Sequence, residues 1–194
     1  ALNSMNLFEI VHSLKRQFGP EQWTLYKGKH LLCFADNHDV TRAASILQTP
    51  EHLPLIYGLL FGMPGVPCVY YGSEWGALGD KGQGDAALRP CFDAPEWNSL
   101  TDTIAAMARA HRGSEALCWG DFTDVILTNR QTIFQRRSEH ERVLVAVNAD
   151  AQPFTAHFDA GCGKAVDLIT GAEHDFGGGS ELPPYSVFFW KCER

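Results

Sequence analysis

Asn37, His38 and Asp39 set an amide, an imidazole and a carboxylate side by side, directly after Asp36. Such a set can grip a hydroxyl-rich ligand, and its imidazole and carboxylate also suit acid–base work. The same residues fit a plain helix-capping turn in which Asp39 or Thr41 accepts backbone N–H groups. Two further polar clusters follow. Gly72-Ser73-Glu74-Trp75-Gly76 offers a second carboxylate beside an indole, and Asp85 stands four residues before Arg89. Asp39 and Glu74 read either as an acid–base pair or as a ligand-binding residue and a loop anchor. Asp85 and Arg89 can pair with each other or both face a ligand. Trp75 is a candidate stacking platform.

Two apolar runs place these clusters. Residues 30–35 read as a buried strand that ends at the first cluster, and residues 66–71 as a second that ends at the next. Between them lie a short helical pattern over 40–47 and, after Pro50, a nearly all-apolar helix over 51–61, broken by Pro64-Gly65. Strand, helix and strand with short breakers predict a parallel βαβ unit. Both clusters then sit at the carboxyl ends of strands, where α/β folds bind ligands.

Upstream, Leu7, Ile10, Val11, Leu14 and Phe18 predict a helix over 3–18, capped by Asn3 or Ser4 and stopped by Gly19-Pro20. Downstream, four glycines within residues 76–84 predict a mobile loop and not a phosphate cradle. A third helix is expected over 100–112. From about residue 114 the texture changes to β-rich runs at 124–128, 132–136, 142–147, 154–158, 164–169 and 186–190, separated by turn formers. That spacing argues an antiparallel sandwich. The expected division is an α/β segment over 1–113 and an all-β module over 114–194.

The composition is that of an ordinary globular chain: 194 residues, 45% hydrophobic, 20% charged, formal charge −7. Its basic residues form no stripe, which argues against nucleic acid. No apolar run reaches the roughly 18–20 residues of a membrane helix. The six cysteines include no Cys-x-x-Cys pair, so a zinc site has little support. All six read as reduced, with Cys33 and Cys68 acting as small hydrophobes inside strands. Neither a metal nor another cofactor is expected. There is no signal peptide, and Ala1 stands in helix-like context. The expectation is a piece of a longer, cytoplasmic protein.

Several motifs in order resemble one family. They are Phe34-Ala35-Asp36-Asn37-His38-Asp39, the run from Pro64-Gly65-Val66-Pro67 to Tyr70-Tyr71-Gly72-Ser73-Glu74, Asp85-x-x-x-Arg89, Asp167-Leu168-Ile169-Thr170-Gly171 and Leu182-Pro183-Pro184-Tyr185-Ser186. Together they resemble the α-amylase family of glycoside hydrolases, family 13, nearest its maltogenic amylase, neopullulanase and α-glucanotransferase branch. The resemblance implies a (β/α)8 TIM barrel followed by a β-sandwich, with this chain supplying barrel strands seven and eight. It implies an α-1,4-linked glucan oligosaccharide as substrate. By the same resemblance Asp39 stabilises the transition state, and Asn37 and His38 bind the same sugar ring. Asp85 and Arg89 contact the neighbouring glucose, and Glu74 is not the proton donor. A retaining glycosidase needs a nucleophile and an acid/base carboxylate about 5 Å apart. In this family both come from strands four and five, which have no counterpart here. The chain alone is therefore expected to be inactive, and its open sheet edge to recruit the missing barrel portion or a second copy. Calcium is common in the family, with its usual ligands mostly outside this segment. The alternative is a non-catalytic carbohydrate-binding or scaffolding module that stacks sugars on Trp75, Trp97 or aromatics of the β module.

Overall fold

A computed structural model describes residues 1–193. Helix α1 (Phe8–Phe18) turns Val11 and Leu14 inward and packs on the first strand of the β module. It starts later than the sequence predicts, because Met5 adopts a left-handed φ of 47° and Leu7 takes the N-cap position. Neither Asn3 nor Ser4 caps it. Asn3 instead donates to the Ile46 carbonyl (2.8 Å) and accepts from the Gln48 amide (3.1 Å).

Strand β1 (Leu32–Phe34) pairs in parallel with β2 (Val66–Cys68), in the register Leu32↔Val66 and Phe34↔Cys68. The connection carries the one-turn helix α2 (Ala43–Ile46), a 3-10 turn (Pro50–His52) and α3 (Leu53–Gly62). The parallel βαβ unit is as expected, but the strands are not buried. Leu32, Phe34 and Val66 are 63%, 47% and 50% exposed, and Cys68 is exposed too. Successive strand residues point to opposite faces. Cys33 packs against the helices, while its neighbours face a side that the described residues leave open. Beside that side opens an apolar groove of about 310 Å³ lined by Leu2, Ile10, Phe34, Ile46, Leu59 and Met63.

After β2 come a 3-10 turn (Ser73–Trp75), a second one (Lys81–Gln83) and the one-turn helix α4 (Asp85–Leu88). Helix α5 (Ser99–Arg112) follows. Asn98 caps it by accepting from the amides of Leu100 and Thr101, while the Thr101 hydroxyl accepts from the Asn98 amide. Its Ile104, Met107 and Ala110 lie against α3, and a short α6 (Glu115–Trp119) leads into the β module.

Among the described residues that module has eight strands: β3 (Asp121–Leu127), β4 (Gln131–Arg137), β5 (Arg142–Asn148), β6 (Phe154–Ala156), β7 (Lys164–Asp167), β8 (Glu173–Asp175), β9 (Ser180–Leu182) and β10 (Ser186–Cys192). Six form one antiparallel sheet in the order β3-β4-β5-β10-β7-β8, and β6 pairs with β9. The sequence pattern missed β8 and β9. Each is three residues long and lies among glycines and charges, so neither carries an apolar alternation.

The sheet has two apolar faces. Phe134, Val143, Val145, Val147 and Phe189 share a core with α1, α3 and α5. Ile133, Leu144, Ala146 and Trp190 form an outer core with Ala156, Ala165 and Leu182. The inner core thus runs across the change of texture near residue 114. Among the described residues no helix is long and apolar enough to cross a membrane.

Candidate functional site

The chain leaves β1 through Asp36, which is 3% exposed. One Asp36 oxygen accepts from the Ala43 amide (2.8 Å) and the other from the Ser73 hydroxyl (2.8 Å). The next turn is closed by Asn37, whose side-chain oxygen accepts from the Asp39 amide (2.8 Å). Capping in this loop is therefore done by Asp36 and Asn37, not by Asp39. Thr41 serves a neighbouring loop, its hydroxyl accepting from the Lys81 amide (3.0 Å).

With the backbone so held, the Asp39 side chain projects outward, 59% exposed. His38 Nε2 stands 3.1 Å from one of its oxygens and an Arg89 nitrogen 3.3 Å from the other. The same Arg89 nitrogen is 3.7 Å from Asp85, whose other oxygen meets Lys81 at 2.5 Å. Lys81 first, then Arg89, holds the Asp85 carboxyl below the usual range. The structure thus brings four of the expected residues, His38, Asp39, Asp85 and Arg89, into one exposed chain of charges. Asp85 and Arg89 both pair with each other and face the same cluster. Asn37 belongs to the loop's own framework, with its oxygen already engaged.

Trp75 is not in that chain. It packs edge-on against Phe92 (5.2 Å between centroids) in a groove of about 400 Å³ shared with Tyr71, Pro90 and Pro95. A succession of rings links the two places: Phe92 to Tyr71 (5.8 Å), Tyr71 to Tyr70 (4.7 Å) and Tyr70 to His38 (6.4 Å). Glu74 anchors its loop through its backbone carbonyl. Its carbonyl accepts from the Thr101 hydroxyl (3.0 Å), yet side-chain Oε2 is buried without a hydrogen-bond partner among the described residues.

Sequence reasoning missed the group beneath the site, Arg42. It is fully buried. Its guanidinium donates to the Tyr71 carbonyl (2.6 Å), the Ser73 hydroxyl (2.9 Å) and the Leu88 carbonyl (3.1 Å), and lies 4.3 Å over the Tyr70 ring. Its amide donates to the Gly79 carbonyl (2.9 Å). Arg42 therefore joins the loop after β1, the loop after β2 and the residue preceding Arg89. The glycine-rich loop expected to be mobile is tied to this framework, with the Gly79 amide also bonded to Ser45 (2.9 Å). The signal available was a lone arginine within an apolar helical pattern, next to a strand end. Tyr57 completes the floor, donating to the Ser73 carbonyl (3.1 Å). Burial first, then the Asp36 carboxylate, pushes its phenol far above the ordinary range, so it stays a donor.

All six cysteines are free thiols. No group of three or more His, Cys, Asp or Glu side chains among the described residues is placed to share a metal ion.

A parallel βαβ unit thus carries its charged cluster at the strands' carboxyl ends, where α/β folds bind ligands, and is joined to an antiparallel module. Residues 3–153 match the family described as alpha amylase, catalytic domain, and the chain belongs to the α-amylase family. A cyclomaltodextrin glucanotransferase from Paenibacillus macerans is 24% identical over 146 residues, which is 75% of this chain and 19% of the relative. The chain thus spans about a fifth of the length of the curated relatives it matches. An Anoxybacillus α-amylase superposes with a TM-score of 0.82 at 20% identity, over 98% of this chain and 43% of its own. The Geobacillus thermoleovorans α-amylase, solved with acarbose, gives 0.81 at 19% identity over 100% and 46%.

Proposed function

We propose that this chain is part of a retaining α-amylase-family glycosidase acting on α-1,4-linked glucan oligosaccharides. The observation that carries this reading is the Asp39 carboxylate, held exposed between His38 and Arg89 at the carboxyl end of β1. An anion fixed there stabilises the positive charge that grows on a sugar ring as it flattens toward an oxocarbenium ion. His38 and Asn37 bind that ring's hydroxyls, and Asp85 with Arg89 binds the next glucose. The nucleophile and the acid/base carboxylate come from barrel strands outside this sequence, so the isolated chain binds but does not cleave. Acarbose in the related Geobacillus α-amylase supports an oligosaccharide as ligand.

The test is maltooligosaccharide hydrolysis by the full-length parent and by this chain, each with and without Asp39→Asn. The variant parent should lose at least a factor of about 100 in kcat, the scale of removing one transition-state electrostatic contact. The isolated chain should be silent. A variant parent that keeps its rate removes Asp39 from the chemistry, and cleavage by the isolated chain would return Glu74 to consideration. The groove of Trp75, Tyr71 and Phe92 supports a second reading, a binding module without chemistry. A catalytically silent wild-type parent that still binds maltooligosaccharides would favour it.

A further inference from the structure

We propose that Cys162 and Cys192 form a thiol–disulfide site, in which exchange with a small organic disulfide links them reversibly and staples the outer face of the β module. The inference does not depend on the sugar chemistry.

Cys192 ends β10, and Cys162 sits between Gly161 and Gly163 in the turn before β7. Both side chains pack against the outer core. The β10–β7 register sets Cys192 opposite Ala165, and the Glu193 amide bonds to the Lys164 carbonyl (3.0 Å). The turn carrying Cys162 therefore lies at the end of the strand pair to which Cys192 belongs. Arg142, at the start of β5, runs beneath that turn and donates to the Ala160 carbonyl. A Cβ placed on Gly161 would lie 2.8 Å from its guanidinium. Arg142, Gly161 and Cys192 line one surface cleft of about 550 Å³, through which a small disulfide can enter. Both thiols interact with each other and with the guanidinium. Cys33 and Cys118, by contrast, are turned toward backbone carbonyls.

The chemistry follows from this arrangement. A cation beside a thiol favours the thiolate, the nucleophilic form. Burial first, then the neighbouring Cys162, pushes the Cys192 thiol up to about 12, so Cys192 holds its proton at neutral pH. The Cys162 thiolate attacks one sulfur of the small disulfide and expels the other as a thiolate. Cys192 then loses its proton to water and attacks the Cys162 sulfur, expelling the second small thiolate. The protein gives up two electrons and two protons, and the small disulfide becomes two thiols. Gly161, at a φ of 61°, and Gly163 give the turn the freedom to meet disulfide geometry. The closed loop encloses β7, β8, β9 and β10.

The 194-residue chain, incubated with oxidised glutathione and digested without reduction, should yield a Cys162–Cys192 linked peptide by mass spectrometry. Its melting temperature should rise by roughly 5–10 °C and fall back on adding dithiothreitol. Cys162→Ser and Cys192→Ser should each abolish the rise, and Cys118→Ser should leave it. Glutathione retained on either thiol with no linked peptide would overturn the proposal. So would linkage to another cysteine, or an unchanged melting temperature in a chain shown to be linked.

Discussion

Replacing Arg42 by methionine removes the group that joins three loops under the exposed charges. The guanidinium is fully buried and makes three hydrogen bonds, to Tyr71, Ser73 and Leu88. A lost partner leaves each buried acceptor with a cost of about 1–3 kcal/mol. Asp36, 3% exposed, keeps its bonds to the Ser73 hydroxyl and the Ala43 amide, but that hydroxyl loses the guanidinium that orients it. Part of the loss is returned, because a buried cation no longer has to be desolvated and its unpartnered Nε disappears. The net expectation is a destabilisation of about 3 kcal/mol, or roughly 6–12 °C in melting temperature for a chain of this size. The assay is urea and thermal unfolding of wild type, Arg42→Met, Asp36→Asn and the double variant. Arg42 acts on Asp36 through Ser73, so the cycle should show a coupling of about 1–2 kcal/mol. A single variant melting within about 2 °C of wild type would refute the reasoning. Strictly additive costs would show instead that Arg42 and Asp36 hold their loops independently.

Gly58→Ala should destabilise the chain by about 1–3 kcal/mol despite alanine's better helix propensity. The new methyl would lie 2.6 Å from Val187, so Val187→Ala should recover most of the loss in the same unfolding assay. Stability should also fall as pH drops below 6.5. Burial pushes the imidazoles of His111 and His174 below that value, so the unfolded chain takes up protons first. Melting at about pH 7.5 and about pH 5.5 measures the fall, and His111→Gln with His174→Gln should flatten it; a flat wild-type profile contradicts the assignment. The uncovered side of β1 predicts that the isolated chain self-associates and that Phe34→Glu restores a monomer. Sedimentation of the wild-type chain as a clean monomer would count against this.

The elements legible in the sequence were those with enough residues to show a period. The apolar helix after Pro50 and the Asn98-capped helix stand within one or two residues of expectation. The β1 and β2 strands fall within the expected runs 30–35 and 66–71 but are only three residues long each, and their burial was not as expected, since an apolar run reports an apolar environment that this chain supplies on one side only. His38 and Asp39 could be named because polar residues at the end of an apolar run stand out, and Asp85 and Arg89 because of their spacing and the family resemblance. Their support could not. Asp36 and Arg42 lie in the connection after β1 and Ser73 in the turn after β2, and only the fold reveals that they share one buried network.

The two glycines of α3 carry the same lesson further. Within a helix each costs about 1 kcal/mol relative to alanine. In the structure Gly58 faces Val187 and Gly62 faces Val145, with no room for a methyl at either place. They let α3 lie directly on β5 and β10, so one core includes both. Arg136 fastens the same joint. It is buried, with its pKa lowered to about 10 by desolvation, and bonds to the Gly62 and Gly120 carbonyls at the ends of α3 and α6. Its charge thus faces the negative ends of both helices. The antiparallel sheet is therefore the platform on which α3 is held. Through Tyr57 of that helix, and its bond to the Ser73 carbonyl, the platform reaches the loop that carries Asp39.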